Sequence, residues 1–318
     1  MSNVEREPRE TAAGGRDDAS DGPVRELLAG RPVALGGPRA MRVTRTLPDR
    51  RRRMVGAWCF ADLYGPETAV MNVPPHPHTG LQTVSWLLEG EVLHRDSLGS
   101  EQVVRPGRLN LMTAGRGVSH SEESARGEGV LHGVQLWVAL PGADRDVAPA
   151  FDHHPELPVL DGDGATVTVV MGELAGLRSP ARAYTPLLGA QVDLREGAAV
   201  ELAVNPRHEY AVLALSGAVE VEGAEVEPGP LLYLGSGRAG LSFRAPRGAR
   251  AMLIGGEPFD EEIVMWWNFV GRSHDDILRY RKEWARGTAF GTVPAYDGAP
   301  LPAPPLPTTL LKPRGRRG

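Results

Sequence analysis

Apolar residues in this chain recur mainly in short runs of strand length, and a helical spacing is read in only one stretch. Trp58-Cys59-Phe60-Ala61-Asp62-Leu63-Tyr64 is a β-prone run stopped by Gly65-Pro66, which predicts a buried strand with Cys59 as a packed thiol. Leu81 to Leu88 and Glu91 to His94 flank Glu89-Gly90, the composition of a hairpin turn. Asp96 to Gly99 and Arg105-Pro106-Gly107 supply two further turns. Turns at this regular spacing predict an antiparallel all-β sandwich. Gln135 and Trp137 share one strand face, opposite Leu136 and Val138. Ala165 to Met171 alternates and reads as another strand. The single helical pattern comes late: Ser273 with Asp276 forms a capping-box-like start, Ile277, Tyr280 and Trp284 line one face, and Gly287 is the stop. Just before it, Trp266 and Trp267 occupy adjacent strand positions, which predicts one between the sandwiches and the other under the helix.

The β pattern occurs twice. With Gly217 aligned on Gly90 and Pro228-Gly229 on Pro106-Gly107, residues 209–221 match 82–94 and residues 228–240 match 106–118. The chain therefore divides into a disordered tail at 1–30, a first sandwich at 31–141, a linker at 142–186, a second sandwich at 187–300 closed by the helix 273–287, and a Pro-rich basic tail at 301–318. His153-His154 falls in the linker; neighbours on a strand face opposite ways and cannot chelate one ion. Arg50 to Arg53 reads as a solvated loop tip.

Composition narrows the function. Hydrophobic residues at 41% with 24% charged describe an ordinary soluble globule, and a net charge of −5 gives no general pull toward nucleic acid or anionic membrane. One cysteine excludes an internal disulfide and fits the cytoplasm. No apolar run reaches membrane-spanning length, so no membrane contact is expected, and the basic tail lacks the interleaved aromatics of a nucleic-acid site. No P-loop, dinucleotide fingerprint or Gly-x-Ser-x-Gly elbow is present.

The chemistry concentrates between Pro74 and Ser124. His76 and His78 lie two apart and share a strand face, as do His120 and Glu122, and the pairs are 42 residues apart, enough for a small sandwich to bring its ends together. Pro77 marks a strand edge or bulge. Solvated loop histidines are the bland alternative; a second pair, and four of only nine histidines in one stretch, favour a metal. Imidazoles plus one carboxylate with positions left open point to non-haem iron before zinc, with manganese, nickel or copper open. His94 either lines the pocket, orients a ligand or fixes the hairpin, and Gln135 is a flanking candidate. In the ungapped repeat alignment His78 falls on Asn205, His120 on Ser242 and Glu122 on Arg244, which leaves His208 without partners and predicts a metal-free second sandwich.

The run from Pro74 to Glu123, with Gly133 to Pro141 after it, closely resembles the pirin family of bicupins. That resemblance implies two cupin barrels in tandem, a single iron in the first, and ligands at His76, His78, His120 and Glu122. It also implies one of two activities: quercetin 2,3-dioxygenase, acting on a flavonol-type aromatic enol with O2, or iron-dependent regulation of a protein partner. In the first case Glu122 doubles as the catalytic base.

Overall fold

The computed structural model describes residues 22–34, 41–162 and 164–313, and the backbone of Thr11–Gly14. Two β units follow one another, each made of a large and a small antiparallel sheet. In the first unit the large sheet runs, in spatial order, Ala150–His154, Leu109–Thr113, Leu81–Glu89, Gly129–Ala139, Trp58–Ala69, Arg42–Leu47 and Arg31–Ala34. Its small sheet runs Asn72–His78, Val118–Ser124, Val92–Asp96 and Glu101–Val104. The second unit repeats the plan, with Ala198–Ala203, Gly240–Ala245, Val219–Val221 and Ala224–Val226 as its small sheet. Among the described residues no strand of a small sheet pairs with its large sheet, so the predicted barrels are open sandwiches rather than closed rings.

The predicted hairpin at Glu89-Gly90 does not form: Leu81–Glu89 belongs to the large sheet and Val92–Asp96 to the small one, and Gly90, with a φ of 91° and a Cβ position only 2.4 Å from the Val130 carbonyl oxygen, makes the crossing between the two sheets. The two units pack through the outer faces of their large sheets. Trp58, Val84, Trp86 and Leu136 join Leu213, Met252 and Ile254 in one core, and the indole N–H of Trp58 donates to the carbonyls of Leu188 (3.1 Å) and Gly255 (3.0 Å). The Trp58 and Leu81 strands are buried on both faces over their first seven residues, with the polar Asp62, Thr83 and Ser85 among those residues. Cys59 lies in this core, and burial pushes its thiol up to about 12, which leaves it an inert packed group.

Several expectations change. The described part of the tail drawn at 1–30 is structured: Glu26–Leu28 joins the large sheet of the second unit beside Leu231–Gly235, and Leu28 is fully buried. The rest of that tail lies outside the described residues, apart from Thr11–Gly14, whose backbone pairs with Glu262–Trp266. The basic cluster is not wholly solvated, because Arg52 is buried over the Tyr233 ring and pairs with Glu26 at 3.2 Å. The linker 142–186 divides, Ala150–His154 extending the first large sheet and Ala165–Leu174 the second.

The end of the chain returns to the first unit. The helix forms at His274–Arg286, with the Ser273 hydroxyl accepting from the Asp276 N–H at 3.1 Å and Gly287 left-handed at the stop. It covers a cluster holding Val264, Trp266, Trp267, Phe269, Ile277 and Phe290. Trp267 has a positive φ of 54°, which breaks the strand alternation and sends both tryptophans into this cluster rather than to opposite faces. Val270 N–H donates to the Thr79 carbonyl at 3.0 Å and Leu301 N–H to the Pro75 carbonyl at 2.8 Å, so the segment predicted to close the second sandwich lies along the histidine strand of the first. The described part of the tail predicted at 301–318, residues 301–313, is anchored as well: Leu311 is buried and Arg281 donates to the Pro304 carbonyl at 2.7 Å.

The repeat alignment is one residue out of register on its last strand. Ser242 and Arg244 are exposed on the outer face, and Leu241 and Phe243 point inward beside Leu202. A one-residue slip exchanges the two faces of a strand, and here it replaces polar equivalents of His120 and Glu122 with apolar ones that offer no ligand atom.

Ending the chain after residue 300 removes the Leu301 pairing, the buried Leu311 and the Leu301 carbonyl that accepts from the Trp284 indole at 2.8 Å. Losing one buried leucine alone costs about 2 to 5 kcal/mol, so the melting temperature should fall by about 5 °C or more. An unchanged melting curve would show that these contacts do not stabilise the fold.

Candidate metal centre

Asn72–His78 is the edge strand of the small sheet, and Pro77, which has no N–H, is tolerated there. His76 and His78 flank Pro77 and turn to the interior. On the neighbouring strand His120 stands opposite His76, and the register shifts between His120 and Glu122. The bulge is the irregularity expected beside a site.

Three imidazoles converge. One ring nitrogen from each of His76, His78 and His120 lies within 4.8 Å of the others, and all three residues are buried. The Nε2 atoms of His78 and His120 are 3.1 Å apart. His76 Nδ1 donates to the Pro74 carbonyl at 2.9 Å, which leaves its Nε2 a lone pair, buried and without a hydrogen-bond partner in the protein. Burial depresses the pKa of all three rings, His76 to about 4 despite the Pro74 contact and the Glu122 charge, and His78 and His120 well below their ordinary value. Neutral imidazole is the form that binds a metal.

Glu122 is buried on the same strand but is not part of the converging group. Its charge reaches His76 and, after burial, is the second cause that raises the Tyr64 phenol. His94 bridges to the group. Its Nδ1 lies 3.2 Å from His120 Nδ1, its Nε2 lies 3.2 Å from Asp96 Oδ2, and its ring stacks on Phe151 at 4.4 Å. Burial works against ionisation of Asp96, yet hydrogen bonds from His94 and the Ser100 backbone hold its carboxyl below its ordinary value.

The large sheet faces these residues with two rows. The nearer row holds Phe60, Trp137, Thr83, Met112 and Phe151, paired across five strands, and Trp137 meets the His78 ring edge-on at 5.3 Å. Beyond it a polar row crosses six strands through Arg45, Asp62, Gln135, Ser85, Asn110 and His153. Arg45 and Asp62 form a two-pronged ion pair at 2.7 Å, Ser85 donates to Gln135 Oε1 at 3.0 Å, and His153 Nδ1 lies 2.6 Å from Asn110 Oδ1. The Asn110 Nδ2 atom is buried without a hydrogen-bond partner. Gln135 thus sits in the polar row, one row away from the Trp137 that touches His78.

Sequence reasoning passed over Asp96, Asn110, Phe151 and the inward-facing His153. Asp96 carried a usable signal, because His94-x-Asp96 repeats the two-residue spacing of the other pairs. The others are brought in by sheet pairing between distant segments.

Comparison with known proteins gives the same frame. Residues 40–138 match the pirin family model and residues 189–291 the model of the pirin C-terminal cupin domain. A Pseudomonas aeruginosa protein named as a candidate quercetin 2,3-dioxygenase is 49% identical over 287 residues, 89% of this chain and 90% of its own. A pirin-like protein of Caulobacter vibrioides is 37% identical over 257 residues, 77% of this chain and 88% of its own. The crystal structure of a quercetin 2,3-dioxygenase from Acinetobacter baumannii superimposes with a TM-score of 0.86 at 41% identity, covering 90% of this chain and 97% of that one.

The depressed histidines tie stability to pH. Between about pH 4, the folded value of His76, and its ordinary 6.5, the unfolded chain binds protons that the folded chain refuses. Stability of the metal-free protein should therefore rise with pH across that window, and fall as pH drops from 6.5 toward 4. His78→Gln should reduce the slope of unfolding free energy against pH by about one proton, read from urea unfolding at a series of pH values. Equal slopes for the two proteins would show that His78 titrates normally when folded.

Proposed function

The chain belongs to the pirin family, and on that premise we propose that its first cupin binds one Fe(II) through His76, His78, His120 and Glu122 and opens a flavonol such as quercetin with O2. What carries this reading is the convergence of three neutral imidazoles on one buried point. Two nitrogens each about 2.1 Å from a metal stand about 3.0 Å apart at a right angle and about 3.4 Å apart at a tetrahedral one. The 3.1 Å between His78 and His120 Nε2 falls in this range, so the two rings would be able to hold one ion between them. Imidazole and carboxylate donors with open positions suit iron, and manganese, nickel, copper or zinc are accepted by the same set.

Once bound, the metal supplies Lewis-acid polarisation and a template for both reactants. The residues do the rest. Glu122, buried and outside the imidazole group, takes the proton of the flavonol hydroxyl. Trp137, Met112 and Phe151 present an apolar wall to the flat rings, and the Asn110 amide N–H and the Ser85 hydroxyl meet ring hydroxyls farther out. The buried reduced thiol of Cys59 agrees with a cytoplasmic enzyme.

Glu122→Gln keeps the size of the side chain and one acceptor oxygen but removes the base. Metal should still bind through three imidazoles, while oxygen-dependent loss of quercetin per bound metal falls roughly 100-fold. If turnover per bound metal is unchanged, Glu122 serves as a ligand only. If iron-loaded wild-type protein consumes no quercetin in oxygen, the dioxygenase reading fails, and a regulatory protein that binds a partner without turnover becomes the better account.

A further inference from the structure

We propose that Asp96 is a positioning residue that sets the tautomer of His120 through His94, so that the Nε2 lone pair of His120 is the one aimed at the three-histidine centre. The proposal rests on the metal reading above and adds to it a relay of fixed polarity.

The polarity follows from counting donors. Asp96 Oδ1 accepts from the backbone N–H groups of Leu98 at 2.9 Å and Ser100 at 3.0 Å, which pins the carboxylate in the turn after its strand. Oδ2 faces His94 Nε2 at 3.2 Å. A carboxylate only accepts, so His94 in its neutral form carries its proton on Nε2 and offers Nδ1 as an acceptor. The atom facing His94 Nδ1 is His120 Nδ1, at 3.2 Å. One proton must lie between them, and His94 has none there to give. His120 therefore holds its proton on Nδ1, and its Nε2, which meets His78 Nε2 at 3.1 Å, carries the lone pair. Stacking on Phe151 at 4.4 Å and 15° holds the His94 ring in the plane that joins both contacts, and the ring is buried, with 3% exposure.

His76 reaches the same state by a separate route, donating from Nδ1 to the Pro74 carbonyl. A backbone carbonyl is a permanent acceptor, so that orientation is built into the fold. For His120 the acceptor is another imidazole, which has no polarity of its own and takes it from Asp96. A turn residue that only caps Leu98 and Ser100 is the competing account of Asp96.

Asp96→Asn separates the two. The amide keeps its oxygen on the two backbone N–H groups, so the turn survives, and its NH2 then faces His94 Nε2. That makes Nε2 the acceptor, moves the His94 proton to Nδ1, and forces the proton of His120 onto Nε2. Histidine tautomers are read from long-range 1H–15N spectra of the full-length metal-free protein. Wild type should show His120 protonated at Nδ1, and Asp96→Asn should show it at Nε2. Fe(II) titrated anaerobically should bind the variant about 10- to 100-fold more weakly, the usual cost of losing such an orienting partner. In a His94→Ala background, with folding checked by thermal melting, the Asp96→Asn change should cost nothing further. An Nε2 proton on His120 in the wild type, or the same loss of Fe(II) affinity in both backgrounds, would overturn the relay. Failure of wild type to take up Fe(II) would overturn the metal assignment, and the spectra, recorded without metal, decide the relay by themselves.

Discussion

The meeting of His78 Nε2 and His120 Nε2, 3.1 Å apart in a buried space, is the constraint on which the first cupin turns. Lone pairs brought this close repel unless a cation or a proton lies between them, and burial has already made protonation costly. The surroundings answer by committing the other nitrogens. His76 is held by the Pro74 carbonyl, the Asn268 backbone lies in contact with the His78 ring and favours its charged form, and His120 meets His94. Each of these partners comes from a different part of the chain: the same strand, the C-terminal segment, and the neighbouring strand of the sheet.

The contact at Asn268 explains why the chain folds back on itself. Asn72–His78 is an edge strand, and Pro74, Pro75 and Pro77 remove three of the N–H groups with which another strand could pair. Carbonyl groups remain. Two of them, on Thr79 at the end of the strand and on Pro75 within it, accept from Val270 and Leu301. The tryptophan and phenylalanine cluster beneath the helix anchors this returning segment. The helix thus stabilises the ligand strand without contributing a ligand, and the C-terminal stretch acts as part of the first cupin although it follows the second in sequence.

The sequence made legible whatever depends on local spacing. Two-residue alternation put His76 and His78 on one face, where they meet His120, while a bulge after His120 leaves Glu122 outside that group; the caps Ser273 and Gly287 bounded the helix within a residue. Features set by pairing between distant segments stayed hidden. Nothing near Ala150–His154 announces that it will lie beside Leu109–Thr113 and bring Phe151 onto His94 and His153 onto Asn110. Glu26–Leu28 fell inside the tail drawn at 1–30, yet an open edge beside Leu231–Gly235 captures it. The repeat alignment reached apolar equivalents only after a shift of one residue, since identical turns fix the neighbourhood of a strand but not which of its faces is inward.

Duplication explains how a polar interior is tolerated at all. In the second unit the corresponding space is filled by Leu202, Leu241, Phe243 and their neighbours, a dry core that needs no hydrogen bonds. In the first unit the inner face of the large sheet carries Arg45, Asp62, Gln135, Ser85, Asn110 and His153, groups that contribute little apolar burial. Beyond the row of Phe60, Trp137 and Met112, that sheet gains its apolar burial on its other face. Trp58, Val84, Trp86 and Leu136 gain it against the second unit, with the Trp86 indole donating to Gln191 at 2.6 Å across the boundary. The second cupin is therefore the backing of the floor that the centre faces, and a first cupin alone would expose that face to water.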